Sequence, residues 1–459
     1  SMSTNIQKNQ ITEGIIWRQL LLFFFPILLG TFFQQLYNTI DSVIVGQFVG
    51  KEALAAVGGS SAQIVAFVVG FFTGLSSGAS VTIAQFFGAK DSRSANKGLH
   101  TAYAIAAFGG LILTVSGIIL TPFLLEMMNT PADIVADSAV YLRIYFAGII
   151  FVLIYNMGSA ILRATGDSKR PLYYLIVCCI INIVLDVLFV IVFHMGVMGV
   201  AVATLIAQAV SAVLVTLKLM RSEGILKLSV KQIRFHGSIL KMQLKLGLPT
   251  GFEAILFSIT NIAIQSAVNT FGTDTTAAWS AYGKLDAIFW MVSTAFGIAI
   301  TTFVGQNYGA GKMDRVRKST RVCLLMDFIV SAVLVVFLIA ARFLLFRLFT
   351  NDSHVIEIGC DMLVLITPWY IVYVFIEVIA GALRGVGNVV VPVAITLLGV
   401  CVLRIAWLAA MLKISPTISA IILSYPVTWV ITALAFIIYY IYITHKTIAG
   451  SSKKHVPKL

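Results

Sequence analysis

Long apolar segments fill this chain almost from end to end, and they limit its fold more than any other feature. Only 11% of the 459 residues are charged and 59% are hydrophobic, whereas about 25% of the residues in a soluble domain are charged. A membrane-spanning helix needs about 20 apolar residues, and segments of that length are too long for barrel strands. The sequence therefore predicts an all-α integral membrane protein with twelve transmembrane helices, at residues 15–46, 53–82, 99–122, 134–160, 171–194, 197–219, 243–270, 276–304, 319–346, 355–382, 389–411 and 418–443.

The basic residues are concentrated on one side of the predicted membrane. Most of the 32 Lys and Arg residues fall in the loops after even-numbered spans and at the two ends of the chain. The ends carry Lys8, Lys453, Lys454 and Lys458, and the odd-numbered loops hold only Lys51, Arg342, Arg347 and Lys413. Because basic loops stay in the cytoplasm, both termini are expected there. The net charge of +13 is expected to contact anionic lipid headgroups rather than nucleic acid.

Two halves of the chain repeat each other. Residues 84–89 recur as residues 305–310, and residues 162–167 recur as residues 383–388, each at a shift of 221 positions. Each half has an even number of spans, so both halves enter the membrane from the same side. The repeats are therefore predicted to be parallel six-helix bundles, related by a pseudo-two-fold axis along the membrane normal.

The domain boundaries follow from this duplication. We predict an N-terminal six-helix lobe at residues 1–221, a cytoplasmic linker at 222–242, and a C-terminal six-helix lobe with a basic tail at 243–459. A duplicated membrane architecture indicates transport, because a site between two equivalent halves can be opened to either side of the bilayer.

The motifs that follow the spans point to a family. Six plus six spans, a Gly-Ala turn after spans 2 and 8, and the motif LRxxGD or LRxxGN after spans 4 and 10 together resemble the multidrug and toxic compound extrusion (MATE) family, over about residues 12–445. The resemblance implies efflux of lipophilic, often cationic and aromatic compounds, driven by a Na+ or H+ gradient. It implies no organic cofactor, only the coupling ion.

The same resemblance implies site residues in both halves. The family's first helix carries an acid after a bend-forming proline, and here Asp41 follows Pro26. One branch has Asn and Asp one turn apart on the fifth helix and Thr on the sixth, which Asn182, Asp186 and Thr204 match. Other branches have a Glu on helix 7 after a proline, which Glu253 after Pro249 matches, and an Asp on helix 10, where this chain has Tyr373 and, one turn on, Glu377.

A polar strip marks the first helix independently of the resemblance. Asp41 lies seven residues after Gln34, four after Tyr37 and three after Asn38. At these spacings all four side chains share one face of the helix. An ionisable group within a span is a functional candidate by default, and we expect ion or proton binding with substrate contact. A hydrogen bond between packed helices is the alternative interpretation.

The fifth helix carries a second polar pair. Asn182 and Asp186 are four residues apart and therefore lie on one helix face. With Thr204 and Asp41 they would form an all-oxygen shell that suits a monovalent cation, or two carboxyl groups that share a proton. The alternative is an ion pair between Asp186 and Arg143.

The second half lacks this pair and offers acids of its own. Glu377 lies on a face with Tyr370 and Tyr373, which suits a flat organic cation, although an aromatic belt at the membrane interface would give the same pattern. Lys284 and Asp286 are interpreted first as an internal ion pair. The full set of candidate substrate-binding residues is Gln34, Tyr37, Asn38, Asn156, Glu253, Asn261, Asp286, Tyr370, Tyr373 and Glu377.

Several remaining residues receive structural interpretations. Pro26, Pro249 and Pro368 are expected to bend their helices, because proline removes a backbone donor and crowds the preceding turn. Arg384 is expected to tie a cytoplasmic loop. The five cysteines are predicted to be buried free thiols. The six histidines form no metal-binding motif, which argues against a metal other than Na+, and no P-loop motif is present that would bind ATP.

The sequence therefore predicts a secondary antiporter, and not an enzyme, in the inner (plasma) membrane of a prokaryote. It would act as a monomer and exchange small organic cations for Na+ or H+ by alternating access. A flippase for lipid-linked sugar precursors is the first alternative, although such an anionic cargo would need a cationic cavity. An intramembrane enzyme is the second, although no catalytic dyad or metal cluster is apparent in the spans.

Overall fold

A computed structural model describes residues 9–450 of the chain, with side chains up to residue 446. Lys8, Lys453, Lys454 and Lys458 of the predicted basic ends lie outside the described residues.

Helices account for nearly all of the described chain. In the first half they are α1 Gln10–Glu13, α2 Ile16–Phe48, α3 Lys51–Gly58, α4 Ser60–Gly88, α5 Ser92–Met127, α6 Val135–Ala147, α7 Ile149–Ala164, α8 Lys169–Asp186 and α9 Val197–Met220. In the second half they are α10 Gly237–Asn269, α11 Thr273–Gly309, α12 Met313–Ala340, α13 Arg342–Arg347, α14 Ser353–Ile366, α15 Tyr370–Gly385, α16 Val390–Thr396, α17 Leu403–Ile414, α18 Ile418–Ile422 and α19 Ser424–Gly450.

The predicted number of spans is confirmed. Within the described residues, eleven helical segments are long and apolar enough to cross a membrane, and the bent pair α6 and α7 supplies a twelfth. Most segments extend beyond the predicted limits, because polar residues continue the helices past the hydrocarbon region; α5, for example, covers 36 residues.

Spans 4 and 10 break at equivalent positions. The first break is a bend of 48° between α6 and α7, next to Gly148. The second is a single tight turn at Thr367–Trp369, between α14 and α15. A shift of 221 carries Gly148 to Trp369, beside Pro368. The repeat is therefore visible in the irregular backbone as well as in the sequence.

The chain divides into two compact units. The first is Leu22–Phe252, and the second consists of the described residues of Ser1–Leu21 and Glu253–Leu459. Both first helices of the repeats, α2 and α10, pass from one unit to the other close to their prolines, Pro26 and Pro249. The predicted boundaries at 221 and 243 are a separate division, based on span order, and stay a prediction.

Glycines hold two helices of the first unit in backbone contact. A methyl group on Gly74 would lie 2.6 Å from the amide nitrogen of Gly251, and one on Gly251 would lie 2.9 Å from the carbonyl oxygen of Phe71. One turn away, a methyl group on Gly78 or on Gly247 would overlap the facing backbone. The paired GxxxG spacing lets α4 and the start of α10 approach as closely as small residues allow in membranes.

In the second unit, α1 is fixed by side chains from α11 and α12. Arg315 donates to the carbonyl oxygens of Ile11 and Gly14, at 2.8 and 3.0 Å. Lys312 donates to the carbonyl oxygen of Thr12 at 2.9 Å. These bonds satisfy carbonyl groups at the end of a short helix that could not be stable in isolation.

The first unit holds the segment that precedes α10 in a similar way. Asn96 donates to the carbonyl oxygens of Ile225 and Lys227, at 3.0 and 2.9 Å, and the backbone N–H of Ser229 donates to His100 at 3.1 Å. In each unit, therefore, the third span of one repeat holds the segment that leads into the first span of the other repeat.

Candidate functional site

The predicted polar residues of α2 and α8 meet in the first unit. Asn182 donates its side-chain N–H groups to both oxygens of Asp41, each at 3.2 Å. Asp41 is 8% exposed and Asn182 is 1% exposed. The pair joins residues separated by 141 positions, so it is a tertiary contact between two spanning helices.

Asp186 lies against this pair. Its carboxyl group lies within electrostatic range of that of Asp41, and its side chain is fully buried. It occupies the last position of α8, where the helix widens into a π-helical turn at Val187–Val192. Such turns are frequent at functional sites. Two buried carboxylates side by side repel each other unless a proton or a cation lies between them.

Several oxygen atoms around these acids lack a donor. In the part of the chain that the structure describes, no hydrogen-bond donor reaches either carboxylate oxygen of Asp186, the carbonyl oxygen of Asn182 or the hydroxyl of Thr204. Thr204 lies on α9, which packs against α8, and it is 8% exposed. Buried polar atoms are normally satisfied, so these oxygens are suited to an ion or a proton.

Tyrosines surround the acidic pair. Tyr37 is buried and accepts a hydrogen bond of 3.3 Å from Gln208. Tyr141 and Tyr145 on α6 stack with ring centroids 6.4 Å apart, and Tyr141 lies within electrostatic range of both Asp41 and Asp186. The two α6 tyrosines are not among the residues predicted from the sequence, although their spacing of four residues places them on one helix face.

The polar strip of α2 divides into two parts. Tyr37 and Asp41 are buried, whereas Gln34 and Asn38 are exposed. Asn156 on α7 is half-buried. Arg143 is exposed, and no ion pair joins it to Asp186 among residues 9–446. The alternative interpretation of Asp186 as the partner of Arg143 is therefore wrong.

Asp286 in the second unit is surrounded by aromatic donors. Tyr370 and Tyr282 donate to one of its oxygens, and the indole of Trp290 donates to the other at 2.7 Å. Tyr370 is fully buried and stacks on Phe289 at a centroid distance of 3.9 Å. Asp286 is thus satisfied by neutral groups from two helices.

The predicted ion pair between Lys284 and Asp286 does not form. Residues two apart on a helix do not face each other, and the ammonium group of Lys284 lies over the ring of Phe349, 5.2 Å from its centroid. Tyr373 is 5% exposed and packs edge-on against Trp290, at 4.7 Å between centroids. Tyr370 and Tyr373 therefore belong to the core of this unit rather than to an exposed aromatic face.

Glu253 lies in a small pocket of the second unit. The pocket is bordered by Arg384 and Asn388, together with residues of α15 and α16. Arg384 is within electrostatic range of Glu253 and of Glu377, and it supplies the positive charge that two acids in this unit need. The sequence position of Arg384 predicts a loop contact and gives no sign of this proximity to Glu253 and Glu377. Asn261, two turns after Glu253, is exposed.

The other structural predictions have mixed outcomes. All five cysteines are free and buried, as predicted. Pro26 and Pro249 lie inside continuous helices, so bending there stays a prediction. Pro368, for which a bend is predicted, lies in the tight turn Thr367–Trp369 that interrupts span 10. Among residues 9–446, no group of three His, Cys, Asp or Glu residues could hold a metal ion.

Comparison with known proteins gives a consistent result. The MatE family model matches residues 26–188 and residues 249–408, which correspond to the two predicted repeats. The chain is 30% identical over 393 residues to the probable multidrug resistance protein YoeA of Bacillus subtilis (strain 168), with 84% of each chain covered. It is 27% identical over 420 residues to the probable multidrug resistance protein NorM of Thermotoga maritima, with 89% of this chain and 88% of that protein covered.

Solved structures show the same fold. A structure described as a MOP superfamily transporter from Pyrococcus furiosus superposes with a TM-score of 0.89 at 20% identity, covering 98% of this chain and 99% of that chain. An outward-facing multidrug resistance MATE family transporter of the MOP superfamily gives a TM-score of 0.88 at 21% identity, with 98% of this chain and 99% of that chain covered. With the family match and the twelve spans, these findings confirm a membrane transporter rather than an enzyme, and the chain belongs to the MatE family of multidrug and toxic compound extrusion transporters.

Proposed function

We propose that this transporter exports lipophilic, cationic, drug-like compounds in exchange for Na+ or H+ by alternating access. The cargo class is supported by relatives whose names describe multidrug resistance and multidrug export. It is also supported by the buried charge, since Asp41, Asp186, Asp286, Glu253 and Glu377 all lie within spanning helices. A cationic compound gains from such acids, whereas an anionic lipid precursor would be repelled.

The coupling ion would bind at Asp41, Asn182, Asp186 and Thr204. The observation that carries this assignment is that two buried acids lie within electrostatic range of each other, beside oxygen atoms that no donor reaches within the described residues. A proton would bridge the two carboxyl groups, and a Na+ ion would take oxygens from all four side chains. Either ion relieves the same repulsion.

Coupling requires that the bound ion favour one conformation over another. Asp41 lies on α2, the helix that contains Pro26 and passes from one compact unit to the other. Asn182 and Asp186 lie on α8, within a single unit. Occupancy of the site would therefore fix α2 against α8, and loss of the ion would release α2. The bends at Pro26 and Pro249 belong to this proposal.

Cargo would contact the half-buried and exposed polar residues. Gln34, Asn38, Asn156, Asn261 and Glu253 have side chains that are at least partly accessible. Glu253 faces Arg384, so a cationic compound would compete with the guanidinium for the carboxylate. The partly buried Asp286 and Glu377 would belong to the same layer, whereas the buried Tyr37, Tyr370 and Tyr373 would act behind it.

We further propose a monomer in a prokaryotic inner membrane, with both termini in the cytoplasm. The support is the concentration of Lys and Arg in the loops after even-numbered spans. Single cysteines placed at Lys51 and Lys312 test the orientation. Labelling of intact cells by an impermeant maleimide should occur at position 51 and not at position 312, and the reverse pattern would contradict the proposal.

Ethidium efflux from proteoliposomes tests the function. An inwardly directed Na+ gradient or pH gradient is imposed separately, and one of the two should accelerate efflux in the parent protein. Asp41→Asn and Asp186→Asn should each lose this acceleration, by tenfold or more if the lost ion contributes about 1.4 kcal/mol.

The matched control is Asp133→Asn, which removes an exposed acid from the loop before α6 and should behave like the parent. Gradient-driven efflux at the parental rate in both site variants would reject the ion site. Failure of the parent to move ethidium and other organic cations under either gradient would reject the proposed activity itself.

A further inference from the structure

Asp327 on α12 is a further buried acid, and it belongs to none of the sites described above. Asp327 is completely buried. One oxygen accepts a hydrogen bond of 3.0 Å from Ser331, one turn further along the helix. The other oxygen has no hydrogen-bond donor within the described residues. An ionised carboxylate in this position would have a hydrogen bond to only one of its two oxygens within the described residues. A buried charge with an unbonded oxygen is strongly disfavoured.

No basic group compensates Asp327. No ion pair within 4 Å involves Asp327 in the described part of the chain. The charged group that acts on it is Glu377, which is itself an acid. Two carboxylates within electrostatic range of each other in an apolar interior repel each other, and a proton on one of them would relieve this repulsion.

Packing brings these two acids to one junction. Helices α11, α12 and α15 pack against each other in pairs. The side chain of Glu377 on α15 lies directly against Gly297 on α11, where a methyl group would overlap it. Cys323 on α12 lies 4.0 Å from the carbonyl oxygen of Phe296, also on α11. Asp327 follows Cys323 by one turn, at the same junction.

The junction also contains a hydroxyl without a partner. Ser293 lies on α11 about one turn before Phe296, so helix geometry places it near the level of Asp327 on the antiparallel α12. Ser293 is 1% exposed, and within the described residues its hydroxyl has no hydrogen-bond partner. The junction thus combines a carboxylate oxygen and a hydroxyl that are both buried and both unsatisfied.

The remaining neighbours of α12 offer no competing charge at this level. On α11 the nearest acid is Asp286, more than two turns from Phe296, where it is satisfied by aromatic donors. The turn at Thr367–Trp369 has no titratable side chain. The titratable groups of α13 and α14 are Arg342, Arg347, His354, Glu357, Cys360 and Asp361, and none of them acts on Asp327 within the described residues.

Glu377 differs from Asp327 in its access. Its side chain is only partly buried, and Arg384, two turns further along α15, lies within electrostatic range of it. Arg384 also borders the pocket that contains Glu253. Glu377 therefore lies within electrostatic range of a residue that borders the pocket, whereas Asp327 is completely buried.

We propose that Asp327 and Glu377 form a second proton-binding site in the unit that contains residues 253–450, with Asp327 as the buried acid and Glu377 as its exchange partner. In the exchange, the O–H bond of Asp327 breaks as a new O–H bond forms on the carboxylate of Glu377, and the negative charge moves to Asp327. A proton fits better than Na+, because one shared proton satisfies both acids whereas a Na+ ion needs several more oxygen ligands. The proposal deepens the proposed transport function, yet proton binding can be measured without transport.

Infrared difference spectroscopy of the purified protein in lipid tests this site. Spectra are recorded between low and high pH, and the carbonyl stretch of protonated carboxyl groups is followed with its shift in heavy water. The parent should show a band that Asp327→Asn removes. In Glu377→Gln the band should disappear at a lower pH than in the parent, because the neighbouring negative charge is gone.

Two further variants keep the test decisive. Ser331→Ala should shift the frequency of the band, because the hydroxyl that donates to Asp327 is lost, and Asp327→Glu should retain a titrating band if Asp327→Asn fails to fold. Asp133→Asn is the control: it removes only the signal of an exposed carboxyl group and should leave the band of Asp327 unchanged. An unchanged spectrum in Asp327→Asn, or a band that is insensitive both to pH and to Glu377→Gln, would overturn the proposal. Loss of ethidium efflux with an intact Asp327 band would instead count against the transport function alone.

Discussion

Asn182 bonds both carboxylate oxygens of Asp41 at equal distances of 3.2 Å. A single amide that spans the two oxygens fixes the rotation of α2 relative to α8 at this level. Its own carbonyl oxygen remains without a donor within the described residues. The amide therefore both orients the acid and leaves an oxygen available for an ion.

Asn182→Ala should reduce gradient-driven efflux more than it reduces stability. Hydrogen bonds to a charged group contribute about 1.5–3 kcal/mol. Losing both donors should strengthen proton binding by the carboxylate, whereas losing the amide oxygen should weaken Na+ binding, so the ion affinity should change by tenfold or more in a direction that distinguishes the two ions. The measurement is the concentration of Na+, or the pH, at which efflux from proteoliposomes is half-maximal. Asn269→Ala, at an exposed position of α10, is the control. An unchanged half-maximal concentration would show that the amide does not orient the site.

Gly78→Ala should destabilise the first unit. The new methyl group would overlap the carbonyl oxygen of Gln243 in α10, and overpacking of this kind typically costs about 1–3 kcal/mol. The measurement is the thermal unfolding midpoint of the purified protein in detergent, which should fall by several degrees.

The matched control for this change is Gly283→Ala. Gly283 also lies inside a helix, α11, but nothing lies within 4 Å of its added methyl group. Alanine favours a helix over glycine by about 1 kcal/mol, so this variant should unfold at the same temperature as the parent or higher. Equal destabilisation of both variants would mean that the glycine contact between α4 and α10 is not tight.

The sequence was sufficient for the spans and the repeat, because both depend on composition and order alone. It also joined Asp41, Asn182 and Asp186, since polar residues within apolar helices have few partners available. It could not separate the buried Tyr37 and Asp41 from the exposed Gln34 and Asn38. At 3.6 residues per turn these two pairs point only about 60° apart, and packing decides which pair is covered.

Other site residues could not be predicted, because their roles depend on tertiary contacts that the spacing of residues in the sequence does not reveal. Asp327 resembles any acid in a helix until α11 and α15 enclose it. Arg384 belongs to a motif that follows a span, which indicates a loop, yet its side chain extends back along α15 toward Glu253. Side chains as long as arginine cross more than one turn, so sequence position alone does not give the depth of the charge.

Arg315→Ala should loosen α1. The guanidinium donates to two carbonyl oxygens of this short helix, at 2.8 and 3.0 Å, and no helix of four residues is stable without such contacts. Hydrogen exchange of the amides of residues 11–14 should accelerate by about tenfold or more, as measured by mass spectrometry of the N-terminal peptide.

The control variant for this prediction is Arg317→Ala, on the same helix as Arg315, α12. Within the described residues, Arg317 makes a long ion pair of 3.6 Å with Asp314, and such a pair near the surface contributes little to stability. Exchange of the N-terminal amides should stay at the parental rate in this variant. If both changes accelerate exchange equally, the effect comes from net charge and not from the bonds to α1.

Tyr370→Phe should weaken the aromatic enclosure of Asp286 without removing any ring. The hydroxyl of Tyr370 donates to Asp286 and also contacts the hydroxyl of Tyr282, at 2.6 Å. Its loss leaves a partly buried acid within a span with one hydroxyl donor fewer, at a cost of about 1–3 kcal/mol. The thermal midpoint should therefore fall, while the Phe289 stacking contact remains. Tyr442→Phe, at an exposed position of α19, should leave the midpoint unchanged. If Tyr370→Phe is equally neutral, Asp286 does not depend on this hydroxyl, and cargo binding by Asp286 becomes the better account of its burial.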